Sequence, residues 1–247
     1  MDNIFKNHLN DLSLKASASC RYTFTSFLSL DELSILRSFE RELGFYTLFG
    51  GCDGCERLVA RFGDPDELGY MEDFPIVCLK AEPKLKKFSD ELTHRDFLGA
   101  LMNLGIERKN IGDIIVKDNT AYIFILEKMK DYVSENLSRV KHTVITVSIA
   151  DTVPTGELFK TESLSVPVSS LRLDCIIASV FSLSRNQVCL LFSEKKVFVD
   201  GRLLENISHV LNEGAVVSVR GMGKFIFTST GGLSKKGRTY VNIEKYV

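Results

Sequence analysis

The residues of this chain that are best placed to do chemistry are cations near its carboxyl end. Arg185 follows Ser184 in "SRNQVCLLFSE", where Ser184 and Gln187 have the spacing of a helix capping box. A cation on the first turn of a helix is disfavoured by about 0.3–1 kcal/mol, because that end is already partly positive. A bound phosphate would remove the conflict. The pattern predicts an anion site, and an ion pair of Arg185 with Glu194 or Asp174 is the alternative.

The distribution of charge favours the same region. The 247 residues carry a net charge of −1, but residues 167–247 contain 11 Lys and Arg against 6 Asp and Glu, whereas the rest contain 20 against 26. A basic carboxyl-terminal module on an acidic body indicates an anionic partner, although a solvated basic surface would give the same counts.

Enzyme and metal motifs are incomplete in this sequence. The "HRD" at residues 94–96 begins like a kinase catalytic loop, but Leu101 stands where that loop needs Asn. Cys52 and Cys55 form a C-x-x-C without a second pair, and no two of the four histidines have a zinc-like spacing. We therefore expect no catalytic residues, no metal and no cofactor.

The composition indicates a cytoplasmic protein that does not enter a membrane. No apolar run reaches the roughly 18 residues of a membrane helix. The first residues, "MDNIFKNHLNDLSLK", contain acids and lack the apolar core of a signal peptide. The six cysteines are scattered, and we expect them to be reduced thiols.

The predicted elements form an α+β protein of three domains. Residues 1–73 are expected to be a mixed α/β domain with helices up to residue 42. Asp31 is the expected N-cap of "LDELSILRSFEREL". "FYTLFGGCDG" and "ERLVARF" are expected to be paired strands, followed by a loop, "GDPDELGYMED".

The second predicted domain, residues 74–166, has the order β-α-β-β-α-β of a split βαβ, RRM-like domain. Thr93 and Asp96 form a capping box for the helix 93–105. The other elements are a helix at 127–140 and strands at 74–82, within 113–126 and at 142–150. Tyr122 and Phe124 alternate on one strand and could stack RNA bases, or they could lie in the core.

The third predicted domain, residues 167–247, follows a linker, part of which could extend a sheet. Its first helix is expected to begin at Ser170 and to bury Leu171, Cys175, Ala178 and Phe181. The second begins at Ser184 and buries Val188, Leu191 and Phe192. "KKVFVDGRLL" predicts a hairpin around Asp200-Gly201, and "AVVSVRGMGKFIF" predicts a strand pair.

Residues 169–221 resemble the RNA-binding domain named after the fourth protein of the small ribosomal subunit. The similar features are "RLD" at 172–174, "SRNQV" at 184–188, "VFVDG" at 197–201 and "LNEG" leading to "VSVRG". The resemblance implies a helix-turn-helix-like unit with a hairpin that binds structured RNA. Lys195 stands where that domain usually has Gly, and Asp200 where it usually has Asn.

The whole chain is similar to the YlmH family of bacterial RNA-binding proteins. The matching stretches are "FLSLDELSIL", "FGGCDGCERL", "LTHRDFLGALMNLGIERKNIGDIIV", "VRGMGKF" and "SKKGR". The resemblance implies a non-enzymatic, cytoplasmic protein that binds rRNA and tRNA at the large ribosomal subunit and acts in rescue or quality control of stalled translation. That family also carries a cell-division label. We expect a monomer.

The predicted RNA-binding residues all lie in the third domain. The resemblance implies Arg172, Ser184, Arg185, Lys195, Lys196 and Arg202. Asn186 lies on the same exposed turn, and the later basic stretches add Arg220, Lys224, Lys235, Lys236 and Arg238. Such contacts would position RNA without reading its sequence.

Two other functions stay open from the sequence. The chain could be an accessory part of an RNA-modification system, because RNA-modifying enzymes carry a similar domain as an appendage; residues 1–160, however, contain neither a synthase Asp motif nor a methyl-donor glycine loop. A division-linked adaptor whose acidic part binds proteins would also fit the charge distribution.

Overall fold

Helices alternate with antiparallel sheets along the chain, which confirms the predicted α+β class. The structure is a computed structural model, and it describes residues 2–150, 161–234 and 237–246. The chain divides into two units, Met1–Leu158 and Phe159–Val247. The first unit holds the predicted domain 1–73 and most of the predicted domain 74–166, and the second unit begins ahead of Pro167.

The amino-terminal part of the first unit packs two helices on a small sheet. Its elements are α1 (Asp2–Ser19), β1 (Thr23–Phe24), α2 (Leu30–Ser38), β2 (Tyr46–Phe49), β3 (Val59–Phe62) and α3 (Pro65–Leu68). The strand order is β1-β3-β2, so the predicted pairing of β2 with β3 is confirmed. Leu9, Leu33, Leu36 and Phe62 are buried in the core between the helices and this sheet.

Two local predictions in this part were wrong. The N-cap of α2 is Ser29 and not Asp31, because Ser29 and Glu32 form a capping box in which Glu32 Oε2 accepts the Ser29 N–H at 2.7 Å. The predicted loop after β3 contains α3. It forms because Asp64 is an N-cap and Pro65 suits the first helical position, and Gly69 ends the helix at φ +73°.

The remainder of the first unit is a five-stranded sheet with two helices on one face. Its elements are β4 (Ile76–Pro83), α4 (His94–Asn103), β5 (Ile111–Lys117), β6 (Thr120–Leu126), α5 (Lys130–Asn136), β7 (Arg139–Val140) and β8 (Thr143–Ile149). The strand order is β5-β6-β4-β8-β7. Phe97 and Leu101 of α4 and Val133 of α5 pack on Leu79 and Ile123. The capping box of Thr93 and Asp96 is confirmed.

The other face of this sheet is covered at Phe124 by the amino-terminal part of the unit, whereas Tyr122 on the same face is only half-buried. Phe124 is fully buried, and a methyl group added at Gly51 would overlap its ring. The Phe27 N–H donates to Lys109 O at 2.9 Å, and Arg57 donates to Phe27 O at 2.9 Å and to Ile111 O at 3.0 Å. Of the two interpretations of Phe124, the structure therefore supports the core position and not an open stacking surface.

The second unit is a six-stranded sheet with two helices. Its elements are β9 (Thr161–Val168), α6 (Leu173–Val180), α7 (Arg185–Ser193), β10 (Val197–Val199), β11 (Arg202–Leu203), β12 (Val216–Val219), β13 (Gly223–Leu233) and β14 (Thr239–Tyr246). The strand order is β11-β10-β12-β13-β14-β9. The predicted hairpin is confirmed, with Asp200 and Gly201 at φ of 50° and 71°.

The first helix of this unit buries a different face from the predicted one. It begins at Leu173, with Arg172 as N-cap, and it buries Leu173, Ile176, Ile177 and Val180. The predicted set of Leu171, Cys175, Ala178 and Phe181 is only partly buried. Both sets have helical spacing, so periodicity alone could not choose between them. The inward face predicted for α7 is confirmed, as is its capping box.

Within the described residues, no single helix is long and apolar enough to cross a membrane. The helices α6 and α7 are long and apolar enough only when they are counted together, and they are bent by 115° relative to each other.

Candidate nucleic-acid interface

A groove in the second unit brings together three of the predicted RNA-binding residues. Arg172, Arg185 and Arg238 line one cavity of about 530 Å³. Arg172 is the N-cap of α6, Arg185 lies on the first turn of α7, and Arg238 immediately precedes β14. The fold therefore places side chains from distant parts of the sequence around one opening, which we refer to below as the arginine groove.

The carboxylates that could have neutralised Arg185 are bonded to other cations. Asp174 pairs with Arg172, and Glu194 pairs with Lys196 at 2.6 Å. Arg185 is exposed and forms no ion pair with any residue that the structure describes. The predicted alternative of an ion pair to Asp174 or Glu194 is therefore not present, and the guanidinium is available to an anion.

The capping box of α7 leaves part of the helix end available. Gln187 N–H donates to Ser184 Oγ at 3.4 Å, and Gln187 Oε1 accepts the Ser184 N–H and Oγ–H at 2.9 Å each. Ser184 is thus occupied in shaping the helix end. The N–H groups of Arg185 and Asn186 have no acceptor among the described residues, so they can donate to a ligand.

Arg172 is held in one orientation by a two-point bond to Asp174. The distances are 3.1 Å from Nε to Oδ1 and 2.8 Å from Nη2 to Oδ2, and Asp174 Oδ1 also accepts the Cys175 N–H at 2.9 Å. The hydrogen bond to Asp174 raises the pKa of Arg172. The bond offsets one charge of the groove and fixes the remaining guanidinium donors of Arg172. From the sequence, Asp174 was considered only as a partner of Arg185, whereas the structure pairs it with Arg172.

A second group of predicted residues lies around the hairpin. Lys195 pairs with Glu205 at 3.3 Å, Lys196 pairs with Glu194, and the Arg220 guanidinium lies 5.2 Å from the centroid of the Phe198 ring. Arg202 is exposed on β11. Exposed ion pairs contribute only about 0–1 kcal/mol, so phosphate could replace these carboxylates at low cost.

Three further lysines were predicted to bind RNA: Lys224 is buried, and Lys235 and Lys236 lie outside the described residues. Lys224 is only 9% exposed, and its Nζ lies 4.2 Å from the centroid of the Tyr246 ring. A buried lysine with this contact does not offer its charge at the surface, which differs from the prediction of a solvent-facing cation.

Both departures from the ribosomal-protein pattern lie at left-handed positions. Lys195 follows α7 with φ of 55°, and Asp200 has φ of 50°. Glycine adopts this conformation freely, whereas most side chains pay about 1–2 kcal/mol. Asp tolerates it better because its side chain bonds locally, and Asp200 Oδ1 accepts the Val216 N–H at 2.9 Å.

Replacing Lys195 with Gly is expected to raise the free energy of unfolding of the second unit by about 0.5–1 kcal/mol, because the left-handed strain is removed. Urea unfolding measures the change. Lys195→Ala is the matched control, since it loses the Glu205 pair but keeps a Cβ at this position. A glycine variant no more stable than the alanine variant would contradict the assignment of strain.

The potential metal ligands among the described residues do not cluster. No group of three or more His, Cys, Asp or Glu there is arranged to hold a metal ion. The thiols of Cys52 and Cys55 lie 3.5 Å apart. Their hydrogen bond, together with burial, raises the pKa of Cys55, and burial raises the pKa of Cys78 to about 12. The Cys55 and Cys78 thiols are therefore poor sources of thiolate.

Comparison with known proteins shows which proteins this chain resembles. Residues 70–153 match the family described as "Putative RNA-binding domain in YlmH". The chain is 28% identical over 234 residues to "Ribosome-associated protein quality control protein P2" of Bacillus subtilis (strain 168). The aligned region covers 91% of this chain and 88% of that protein. The predicted resemblance to the YlmH family is thereby confirmed, with the family match limited to residues 70–153.

A solved structure with a YlmH name is also similar. "Cell division protein ylmH from Streptococcus pneumoniae" matches 60% of this chain and 90% of its own, with 21% identity and a TM-score of 0.49. The YlmH RNA-binding match at residues 70–153 spans β4 to β8 of the first unit. The arginine groove lies in the second unit, outside that match.

Proposed function

We propose that this chain is a non-enzymatic, monomeric RNA-binding protein that acts on structured rRNA and tRNA at the large ribosomal subunit in the cytoplasm, in rescue or quality control of stalled translation. The observation that carries the proposal is the arginine groove, in which Arg185 has no acidic partner among the described residues. The name of the Bacillus subtilis relative, a ribosome-associated quality control protein, supports the ribosomal setting.

The local fold of the second unit supports an RNA-binding domain of the type found in the fourth small-subunit ribosomal protein. Two short helices, α6 and α7, are followed by the β10-β11 hairpin. The "SRNQV" stretch supplies the capped start of α7, and "VFVDG" supplies the hairpin strand and its turn. The sequence resemblance and the element order thus agree on where RNA would dock.

The chemistry of the groove suits a phosphate backbone. Guanidinium groups present planar pairs of donors that match phosphate oxygens, and hydrogen bonds between ionised groups are stronger than neutral ones. The three arginines and Asp174 together leave excess positive charge at the opening. Because such contacts carry no sequence information, selectivity would come from the shape of the RNA and its ribosomal surroundings.

The test of this function is sedimentation of the full chain with purified large and small bacterial ribosomal subunits at increasing salt. We expect cosedimentation with the large subunit that weakens as salt rises, because the contacts are mainly to phosphates. The small subunit should carry little protein under the same conditions. Equal binding to both subunits would contradict the large-subunit assignment, and no binding to either subunit would contradict the ribosomal function.

A further inference from the structure

A cleft in the first unit is lined by two arginines that no acid among the described residues neutralises. It has a volume of about 540 Å³ between α4 and the segment that joins α5 to β7, and Arg95, Arg139 and Lys141 line it. Arg95 and Arg139 are exposed and form no ion pair with any part of the chain that the structure describes. Excess positive charge therefore faces one concave surface.

The acid in this cleft is already compensated. Asp96 pairs with Lys141 at 2.8 Å. The hydrogen bonds from Lys141 and Thr93 lower the pKa of Asp96 to about 2. Asp96 is therefore ionised at neutral pH and fully engaged, so it does not offset the two arginines.

Several cations elsewhere in the same segment are paired. Lys80 pairs with Glu82 at 3.0 Å, Lys109 with Glu107 at 2.6 Å, and Lys130 with Glu127 at 3.0 Å. Burial lowers the pKa of Arg108 to about 10, and its guanidinium donates to the carbonyl of Gly112 at 3.0 Å. Compared with these side chains, Arg95 and Arg139 are the better candidates to hold an external anion.

The sheet of this segment cannot stack a base at Phe124, one of the two aromatic positions considered for RNA. RNA-recognition domains stack bases on aromatic side chains of an open sheet face. Here α4 and α5 cover one face, and Phe27 and Gly51 cover the other at Phe124. The surface beside the helices is therefore a further place where this segment could bind RNA.

We propose that this cleft is a second site for the phosphodiester backbone of structured RNA, with Arg95 and Arg139 as the phosphate ligands. The inference rests on the proposed function and adds to it a site within residues 70–153. Gly99 of α4 lines the cleft, and a Cβ at this position would meet no heavy atom within 4 Å. The space beside Gly99 is therefore open to an RNA backbone, and a methyl group there would not fill it.

The test measures binding of the full chain to labelled, deproteinised large-subunit rRNA at several salt concentrations. The Arg95→Gln, Arg139→Gln double variant should bind about tenfold more weakly, and the slope of log affinity against log salt should fall by about 2. Arg21→Gln, Arg41→Gln is the matched control. It removes two exposed arginines of the same unit that do not line the cleft, and its affinity should stay close to that of the unmodified chain.

A second variant tests the cleft without removing an arginine. Gly99→Glu places an acid in the cleft and should weaken binding, whereas Gly99→Ala should bind normally. Both should fold, because the position is open and helical and most residues favour helix more than glycine does.

The outcomes separate the two proposals. If the unmodified chain does not bind the RNA, the proposed function is overturned. If Arg185→Gln, Arg238→Gln loses affinity while the Arg95, Arg139 variant and Gly99→Glu both bind normally, this inference alone is overturned. Loss in the double variant and in Gly99→Glu, with normal binding by Gly99→Ala and the control, supports the second site.

Discussion

The Arg185→Gln, Arg238→Gln double variant is expected to lose at least about tenfold in affinity for large-subunit rRNA, and its salt slope should fall by about 2. Both arginines line the groove and neither has an acidic partner among the described residues. A charge-assisted hydrogen bond contributes roughly 1.5–3 kcal/mol, and about 1.4 kcal/mol corresponds to a tenfold change. Filter binding across a salt series measures both quantities.

Two controls separate loss of charge from loss of fold. Arg185→Lys, Arg238→Lys keeps both charges but loses the planar donor pairs, so its salt slope should be preserved while its affinity falls to an intermediate value. Both arginines are exposed, and the stability of the Gln variant should therefore change by no more than about 0.5 kcal/mol. A folded Gln variant with unchanged affinity and slope would show that the groove does not hold RNA.

Replacing Phe124 with Ala is expected to lower the free energy of unfolding of the first unit by about 3–5 kcal/mol. The ring is fully buried, and it fills the space between the sheet and the amino-terminal part, where Gly51 and Gly112 allow its close approach. Removing the ring would leave a cavity, and we expect the surrounding backbone not to move in to fill it. Urea unfolding followed by far-UV circular dichroism measures the loss.

The conservative variant distinguishes packing from base stacking. Phe124→Leu keeps an apolar side chain and should cost less than the alanine variant. Its rRNA affinity, measured where the protein is folded, should equal that of the unmodified chain. If Phe124→Leu were as stable as the unmodified chain but lost RNA affinity, Phe124 would be a stacking residue and the packing account would be incorrect.

Local sequence signals predicted those elements whose causes are local. The capping boxes at Thr93 and Ser184 were found where predicted, because three-residue spacing is enough to form them. The turn at Asp200-Gly201 was also found, since few residue pairs adopt two left-handed conformations in succession. The wrong N-cap at Asp31 shows the limit of such signals, because Ser29 with Glu32 offers a competing box two residues earlier.

Features that depend on distant partners could not be predicted. Helical spacing fits both faces of α6, and only the packing of the second unit selects Ile176 and Ile177 as buried residues. The sheet face at Phe124 is covered by Gly51 and Phe27, which lie far away in the sequence. The alternation of residues within "TAYIFIL" therefore could not predict that distant residues bury Phe124.

The candidate site was predictable only where it depends on residues that are close in the sequence. Arg172 and Arg185 lie on successive helices, so their meeting follows from a short connection. Arg238 reaches the groove because β14 pairs with β9 along its length, from Thr239 opposite Val168, and that pairing is non-local. The burial of Lys224 beside Tyr246 depends on the pairing of β13 with β14, whereas lysine in general is expected to be exposed.

The most direct measurement of the central claim is crosslinking to ribosomes from a photoreactive side chain placed at Asn186, next to the arginine groove on the exposed first turn of α7. The control places the same group at Leu14, which is 59% exposed on α1. We predict abundant crosslinks from position 186 to large-subunit rRNA or bound tRNA and few from position 14. Crosslinks from position 186 only to protein, with the chain still bound to the ribosome, would contradict the assignment of the groove to RNA.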